Sequence, residues 1–253
     1  MSSTLSITTI EKVIKVLEEI VLESEKNNDP RGYFASLYLN VTRAVKSGID
    51  NKEFQDNVRM EKLDVVFATR YIDAYYNSKT KTAITDSWAL AFKLDTAYWS
   101  IVLQHLLIGM NAHINLDLGI AAAVIMKGEN INDLKSDFDK INSILASLVG
   151  DVERDLAAIW PTLGKILKLT KGIDNFLVNF SMTLARDGAW KFAQFLSKTH
   201  ENSWHTAIQN RDLKVAKKAE IIMNPGWIVS FILLIVRLGE KGSVSDKIKK
   251  LKA

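Results

Sequence analysis

His113 and Asp117, four residues apart, are the first candidates for chemistry in this sequence. Side chains at this spacing lie on one face of an α-helix, so an imidazole and a carboxylate can act on one ligand. In one interpretation both side chains bind a single divalent ion, Zn, Fe or Mn. In another, Asp117 orients His113, which acts as a general base or acid without a metal. A structural hydrogen bond inside the core is the third interpretation.

A metal ion would need ligands from other helices, because the remaining histidines are few and badly spaced. His105 lies eight residues before His113, about 12 Å along a helix axis, and cannot bind the same ion. His200 and His205 are five residues apart and therefore align poorly on one helix. Carboxylates could complete the site, and nothing in the sequence selects among Asp64, Asp73, Asp151, Asp155 and Asp187.

The segment around the pair, residues 98–126, contains no Lys, Arg or Glu, and its apolar residues point in every direction around a helical wheel. This pattern predicts a long central helix, over about residues 97–126, that is buried on all sides. Each further polar side chain in it would cost about 1–3 kcal/mol if buried without a partner. We therefore expect these side chains to face a ligand, water or a partner. They are His105, as a further catalytic candidate or a satisfied core histidine, and Gln104, Asn111 and Asn115, as candidate substrate-binding residues.

Two arginines and a glycine border the predicted site. Arg70 interrupts the apolar stripe of a helix predicted over residues 61–77, so it either extends past the core edge or pairs with a buried carboxylate. Like Arg186, it is also a candidate substrate-binding residue. Arg186 borders the apolar face of a helix predicted over 174–198. It could neutralise a buried acid or an anionic substrate, or cover the core with its stem. Gly109, one turn before His113, leaves a gap for a substrate or for close helix packing.

The composition predicts an all-α, single-domain bundle of eight to ten helices over residues 1–253. Of the 253 residues, 47% are hydrophobic, and only 3 Pro and 12 Gly interrupt the chain, so long helices are favoured over many short strands. Thr8 and Glu11 have the spacing of a capping box for the first helix. Helical periodicity is found over about 9–26, 30–46, 51–57, 61–77, 82–126 with a break near Leu94, 130–159, 174–198, 212–223, 226–239 and 244–251.

Several protein classes lose their support from the sequence. The chain has no cysteine, which excludes disulfides, thiolate metal sites and cysteine nucleophiles and permits a reducing compartment. Residues 1–9 lack the features of a signal peptide, so we expect a cytoplasmic location. The apolar run at 227–236 is about half the length that a bilayer requires, so no transmembrane segment is expected. Glycine-rich phosphate loops and the motifs GxSxG, HExxH and EF-hand are missing.

The net charge of +4 is unevenly distributed. Residues 205–253 contain ten basic and four acidic residues, which gives +6 for this segment and −2 for the rest. Aromatic residues do not alternate with the terminal lysines, so we expect no nucleic-acid partner. The basic end could meet another partner, or it is a solvated helix end.

The segment LQHLLIGMNAHINLDLGIA, Leu103 to Ala121, resembles the DUF5995 family of uncharacterised bacterial and fungal proteins. The stretches LDVVFATRYIDAY, WALAF and RDGAW are similar to the same family. The resemblance implies a single helical domain and directs attention to the polar residues of the segment. Gly109, His113 and Asp117 are also similar to a helix of the zinc-dependent phospholipase C and P1 nuclease group. Those enzymes bind three zinc ions with many histidines, and this chain has four, so neither their site nor their activity is carried over.

The leading hypothesis is an enzyme of hydrolase or lyase type that acts on a small molecule through His113 and Asp117, with Arg70 or Arg186 balancing charge. One alternative is a non-catalytic binding or scaffold protein with a structural polar core, whose partner meets the basic C-terminal helix. Another is a carrier of an apolar ligand, which shares the enclosed cavity but does not turn the ligand over. The sequence makes no prediction of the oligomeric state.

Overall fold

The structure, a computed structural model, describes residues 7–97, 99–160 and 182–252. These residues form α-helices and short helical turns and no strand, which confirms the all-α fold. The α-helices of the described residues are α1 Ile10–Asn27, α2 Arg31–Asp50, α3 Asn57–Thr80, α4 Asp86–Lys93, α5 Val102–Ala112, α6 Leu118–Ile125, α7 Lys135–Ile159, α8 Met182–Lys198, α9 Trp204–Met223, α10 Trp227–Gly239 and α11 Val244–Leu251. They are eleven rather than eight to ten, partly because the predicted central helix is divided into α5 and α6.

The central helix, Val102–Ile125, consists of α5, a π-helical turn at His113–Asp117, and α6. The helices α2, α3, α4, α8 and α9 surround it. It is long and apolar enough to span a membrane, but most of it is buried inside the fold, as is typical of a core helix in a soluble protein. The burial predicted from its composition is therefore confirmed.

The central helix begins at Val102 and not near residue 97 as predicted. The break expected near Leu94 is present, because α4 ends at Lys93 and a 3₁₀ turn follows at Leu94–Thr96. Gln104 then caps the start of the helix, since its Oε1 accepts a hydrogen bond from the Ile101 N–H at 3.2 Å. That bond satisfies one of the free amide groups of the first turn.

Three other predicted boundaries differ from the structure. Thr9, not Thr8, caps α1, and its Oγ1 accepts from the Lys12 N–H at 3.4 Å. The short helix predicted near 51–57 is wrong. Turns occupy that stretch because the Asp137 carboxylate accepts hydrogen bonds from the amide groups of Gln55 and Asp56, at 2.7 and 3.0 Å. The helix predicted from residue 212 begins earlier, at Trp204.

Other boundaries agree with the sequence pattern. The long helix α7 ends at Ile159, before Trp160, as its apolar stripe predicts. The described part of the helix predicted over 174–198 is α8, and residues 174–181 lie outside the described residues. A single domain over the full chain stays a prediction.

Candidate functional site

The π-helical turn places His113 and Asp117 side by side. The His113 Nδ1 atom lies 3.2 Å from Asp117 Oδ2, and both side chains are almost completely buried. Two other helices also donate to the carboxylate: Arg70 Nε of α3 to Oδ1 at 2.7 Å, and Trp88 Nε1 of α4 to Oδ2 at 2.8 Å. Of the two roles left open for Arg70, the structure shows the pairing with a buried carboxylate, and its expected substrate binding stays a prediction. Three donors fix the orientation of Asp117.

These contacts determine the charge states of the pair. Burial acts to raise the pKa of Asp117, but the charge of Arg70 and the hydrogen bonds from His113 and Trp88 outweigh burial and hold the pKa below its ordinary value. The carboxylate is therefore ionised. Burial lowers the pKa of His113 against the opposing effect of Asp117, so its imidazole is neutral at pH 7. A neutral ring beside an accepting carboxylate carries its proton on Nδ1 and leaves a lone pair on Nε2.

The Nε2 atom of His113 is buried and has no hydrogen-bond partner among the described residues. Aromatic rings enclose the imidazole. Phe67 stacks on it with ring centroids 3.6 Å apart and planes 8° apart, and the Tyr38 ring meets it nearly perpendicularly at 4.5 Å. This enclosure fixes the ring plane and keeps the basic nitrogen out of bulk water.

His113 forms part of the wall of a cavity of about 470 Å³. Most side chains in the wall are apolar and belong to α2, α3, the central helix, α7 and α8. A cavity of this volume and polarity is typical of a binding site for a small molecule. Four buried residues with polar groups also line it: Tyr38, Asp64, His113 and Arg186.

Asp64 is the functional candidate that sequence reasoning did not single out. Its Oδ2 atom is buried and has no partner among the described residues, and the same is true of the Tyr38 hydroxyl. Burial, assisted by the negative charge of Glu61, raises the pKa of Asp64 to about 7. The carboxyl group can therefore hold or release a proton near neutral pH. In the sequence Asp64 has apolar neighbours, but so do other carboxylates of this chain. Only the packing of the helices shows that Asp64 is the one that lines the cavity.

Arg186 is only 5% exposed and also lines the cavity. Its Nη2 atom donates to the backbone oxygen of Phe138, and its guanidinium lies over the Phe138 ring at 4.5 Å. Burial lowers its pKa to about 10, so it stays charged at neutral pH. The sequence-based prediction that Arg186 is near the site therefore agrees with its position in the cavity wall.

His105 lies in a separate cluster. Its Nδ1 atom is 3.6 Å from Asp95 Oδ1, and burial lowers its pKa to about 3. It contacts a small second cavity, of about 20 Å³, and does not line the large one. Gly109 lies between the two histidines, and a Cβ atom there would meet the Phe34 ring at 2.6 Å. Phe34 thus fills the gap that Gly109 leaves, and the catalytic role expected for His105 receives no support from its position.

Gln104, Asn111 and Asn115 join the central helix to α9 instead of lining the cavity. Gln104 Nε2 donates to the backbone oxygen of Ile222 at 3.1 Å, and Asn111 Nδ2 donates to that of Val215 at 2.9 Å. Asn115 Nδ2 in turn donates to Asn111 Oδ1 at 3.2 Å. These bonds satisfy the buried amide groups of Gln104 and Asn111, so a structural role explains those two better than the predicted substrate binding. Asn115 Oδ1 is buried and has no partner among the described residues, and none of the three side chains lines the cavity.

The predicted metal site has few of the ligands that it requires. Both oxygens of Asp117 already accept hydrogen bonds, and the nitrogen of His113 nearest to them points at the carboxylate. An ion bound by both residues would displace those bonds. In the described part of the chain, no three His, Asp or Glu side chains form a group that could hold an ion. The arrangement fits acid–base chemistry better than ligation of Zn, Fe or Mn.

The fold and the site together define a class: an all-α protein whose central helix places a histidine, held by a buried aspartate, in the wall of an apolar cavity. The chain belongs to the DUF5995 family, described as a family of unknown function, whose model matches residues 10–225. That match includes the central helix and the residues around the pair. No match was found among curated proteins or among solved structures. The fainter similarity to zinc-dependent phospholipase C and P1 nuclease thus receives no support.

Proposed function

We propose that this protein is an enzyme that performs general acid–base chemistry, of hydrolase or lyase type, on a small and largely apolar molecule bound in the cavity. One observation carries the proposal. His113 lines that cavity, and its buried Nε2 atom has no hydrogen-bond partner among the described residues, while Asp117 holds Nδ1. Histidine held in this way is a common general base, because its partner fixes both its tautomer and its direction.

In this proposal each polar residue of the site has a distinct role. His113 accepts a proton from the substrate or from a water molecule. Asp117 is a positioning residue, since its ionised carboxylate stabilises the imidazolium that forms, and Arg70 and Trp88 keep it in place. Asp64 supplies a proton, because its raised pKa leaves much of the carboxyl protonated near pH 7. The pKa values of the two groups are shifted in opposite directions, that of His113 down and that of Asp64 up, so His113 can serve as the base and Asp64 as the acid.

The test compares wild-type protein with His113→Gln and Asp117→Asn in an apolar metabolite extract prepared in D₂O. His105→Gln is the matched control, because it alters a buried histidine of the same helix outside the cavity. Mass spectrometry follows the consumption of each compound and its deuterium content. We expect the wild type and the control to convert or deuterate the same compound. His113→Gln should fail, and Asp117→Asn should be slower by about 10²-fold or more.

A compound that changes equally with wild type and His113→Gln would reject His113 as the base. If the wild type changes no compound but an apolar compound copurifies with it intact, the protein is a carrier. The apolar wall of the cavity supports this second candidate function, a carrier. An apolar wall is enough to bind an apolar ligand, and the His–Asp pair is not needed for binding alone.

The scaffold alternative has less support from the contacts of the basic C-terminal helix. Lys247 is buried, and its Nζ lies 2.7 Å from Glu240 Oε2. Lys250 Nζ donates to the backbone oxygen of Ala158 at 2.9 Å, and Lys249 lies 3.6 Å from Glu25. Several of these charges thus stabilise the fold itself. We propose a small-molecule ligand, no nucleic-acid partner and a cytoplasmic location for this enzyme.

A further inference from the structure

Arg186 is a buried cation that no carboxylate of the described residues neutralises. The charges of Asp139 and Asp187 act to raise the pKa of Arg186, but neither carboxylate forms an ion pair with it. Its Nε atom is buried and lacks a hydrogen-bond partner in the described chain. By comparison, the other cation at the site, Arg70, has a carboxylate at 2.7 Å. The two arginines of the site therefore differ in whether the protein supplies their counter-charge.

A buried charge without a partner is unfavourable, usually by several kcal/mol, unless a ligand completes it. The carbonyl oxygen and the ring of Phe138 supply part of the missing solvation. Neither carries a negative charge. Arg186 lines the cavity and keeps an N–H without a partner among the described residues, and a guanidinium pairs with a carboxylate in both charge and geometry.

The rest of the cavity indicates what the remainder of such a ligand is like. The side chains around His113 are Phe34, Tyr38 and Phe67, whereas Arg186 packs on Phe138. The base and the cation thus occupy different parts of one apolar wall. A ligand that reaches both is apolar over most of its length and has its charge at one end.

We propose that the cavity binds an amphiphilic monocarboxylate, with the carboxylate paired to Arg186 and the apolar body extending along the wall that contains His113. This inference rests on the proposed function, because it names the substrate class of the same site. Arg186 is then a binding and specificity residue. His113 then takes a proton from an activated C–H bond, or from water that attacks a hydrolysable bond, in the body of the ligand away from the carboxylate.

Calorimetric titration with two probes of equal chain length, decanoate and decanol, tests the pairing directly. We expect wild-type protein to bind decanoate more tightly than decanol by about tenfold or more. Arg186→Met should abolish this preference but keep the affinity for decanol, since methionine retains the apolar stem of the side chain. Arg186→Lys should retain part of the preference. Lys191→Met is the matched control, because it removes an exposed cation from the same helix, and it should behave as wild type.

Equal affinity of wild type for the two probes, no binding of either, or a preference that survives in Arg186→Met would each overturn the inference. Circular dichroism checks that Arg186→Met is folded, and we expect it to be at least as stable as wild type because an unpaired buried cation is removed. His113→Gln separates this inference from the proposed function, since it should still prefer decanoate. If the protein converts a compound but does not prefer decanoate to decanol, the proposed enzyme function stands and this inference fails. If it prefers decanoate but converts no compound, the protein is a carrier of carboxylates and the proposed enzyme function fails.

Discussion

Arg70 and Asp117 are 47 residues apart in the chain, yet Arg70 Nε lies 2.7 Å from Asp117 Oδ1. The contact joins α3 to the π-helical turn. It also explains how a fully buried carboxylate stays ionised beside a neutral histidine. The orientation of His113 therefore depends on the packing of a distant helix as much as on its own neighbours.

Asp117→Asn should destabilise the protein. The substitution keeps the shape of the side chain but removes the negative charge opposite Arg70. We expect a loss of about 2–3 kcal/mol in the free energy of unfolding, because Arg70 is partly exposed and water replaces some of the interaction. Trp88→Phe removes the indole N–H together with one ring of a buried side chain, so its cost, about 2–4 kcal/mol, includes a cavity. Urea unfolding of both variants measures the losses, and an Asp117→Asn variant as stable as wild type would contradict the assignment.

Asp64 should make stability depend on pH. Its pKa is raised from 3.8 to about 7 in the folded state, so the folded protein retains a proton that the unfolded chain has released. Stability then falls as the pH rises through this interval, by up to about 1.4 kcal/mol per unit. Asp64→Asn should lose less stability than wild type over this interval and be more stable at pH 8, although part of the decrease remains because burial also raises the pKa of Asp95, to about 8.

Urea unfolding at pH 5 and pH 8 measures the effect. Asp50→Asn is the control, since Asp50 is an exposed carboxylate that pairs with Lys46, and it should show the wild-type decrease. If Asp64→Asn loses as much stability between these pH values as wild type, the raised pKa is wrong.

Gly109→Ala should destabilise the protein by about 1–3 kcal/mol, because the new Cβ would lie 2.6 Å from the Phe34 ring in a packed core. Gly150→Ala is a matched control inside another helix, where no atom lies within 4 Å of the added Cβ. It should instead stabilise the protein by about 0.5–1 kcal/mol. Thermal unfolding of the two variants provides the comparison, and similar shifts in Tm would disagree with the close contact at Gly109.

Lys247→Met should cost about 2–4 kcal/mol in the free energy of unfolding. It leaves the carboxylate of Glu240 buried with a weaker partner, Arg237, at 3.4 Å. Lys249→Met removes an exposed lysine from the same helix and should have almost no effect. Urea unfolding distinguishes them, and equal losses would show that the buried ion pair contributes little.

Local patterns predicted the parts of this molecule that local interactions determine. The spacing of His113 and Asp117 predicted their contact, because residues four apart are neighbours on any helix. The uniform apolarity of the central helix predicted its burial. For Arg70 the sequence left two possibilities open, since only the packing of α3 against the central helix shows which carboxylate is within reach.

The cavity could not be predicted, because helices from distant parts of the sequence contribute to its wall. Asp64 was one of several carboxylates of similar sequence context, and its lack of a partner is a property of the folded chain. His105 lies about 80° from His113 around the helical wheel, so the wheel alone does not separate their surroundings. The Phe34 ring, from another helix, separates the two.

The π-helical turn at His113–Asp117 has a genetic consequence. A π turn contains one residue more than the α-helical turn it replaces, while the helix on either side keeps its α register. A chain without that extra residue could pack the same faces of α5 and α6 into the same core. One inserted codon in a buried helix can therefore change which side chains of a single turn face the neighbouring helices, while the faces of α5 and α6 that pack into the core stay as they were.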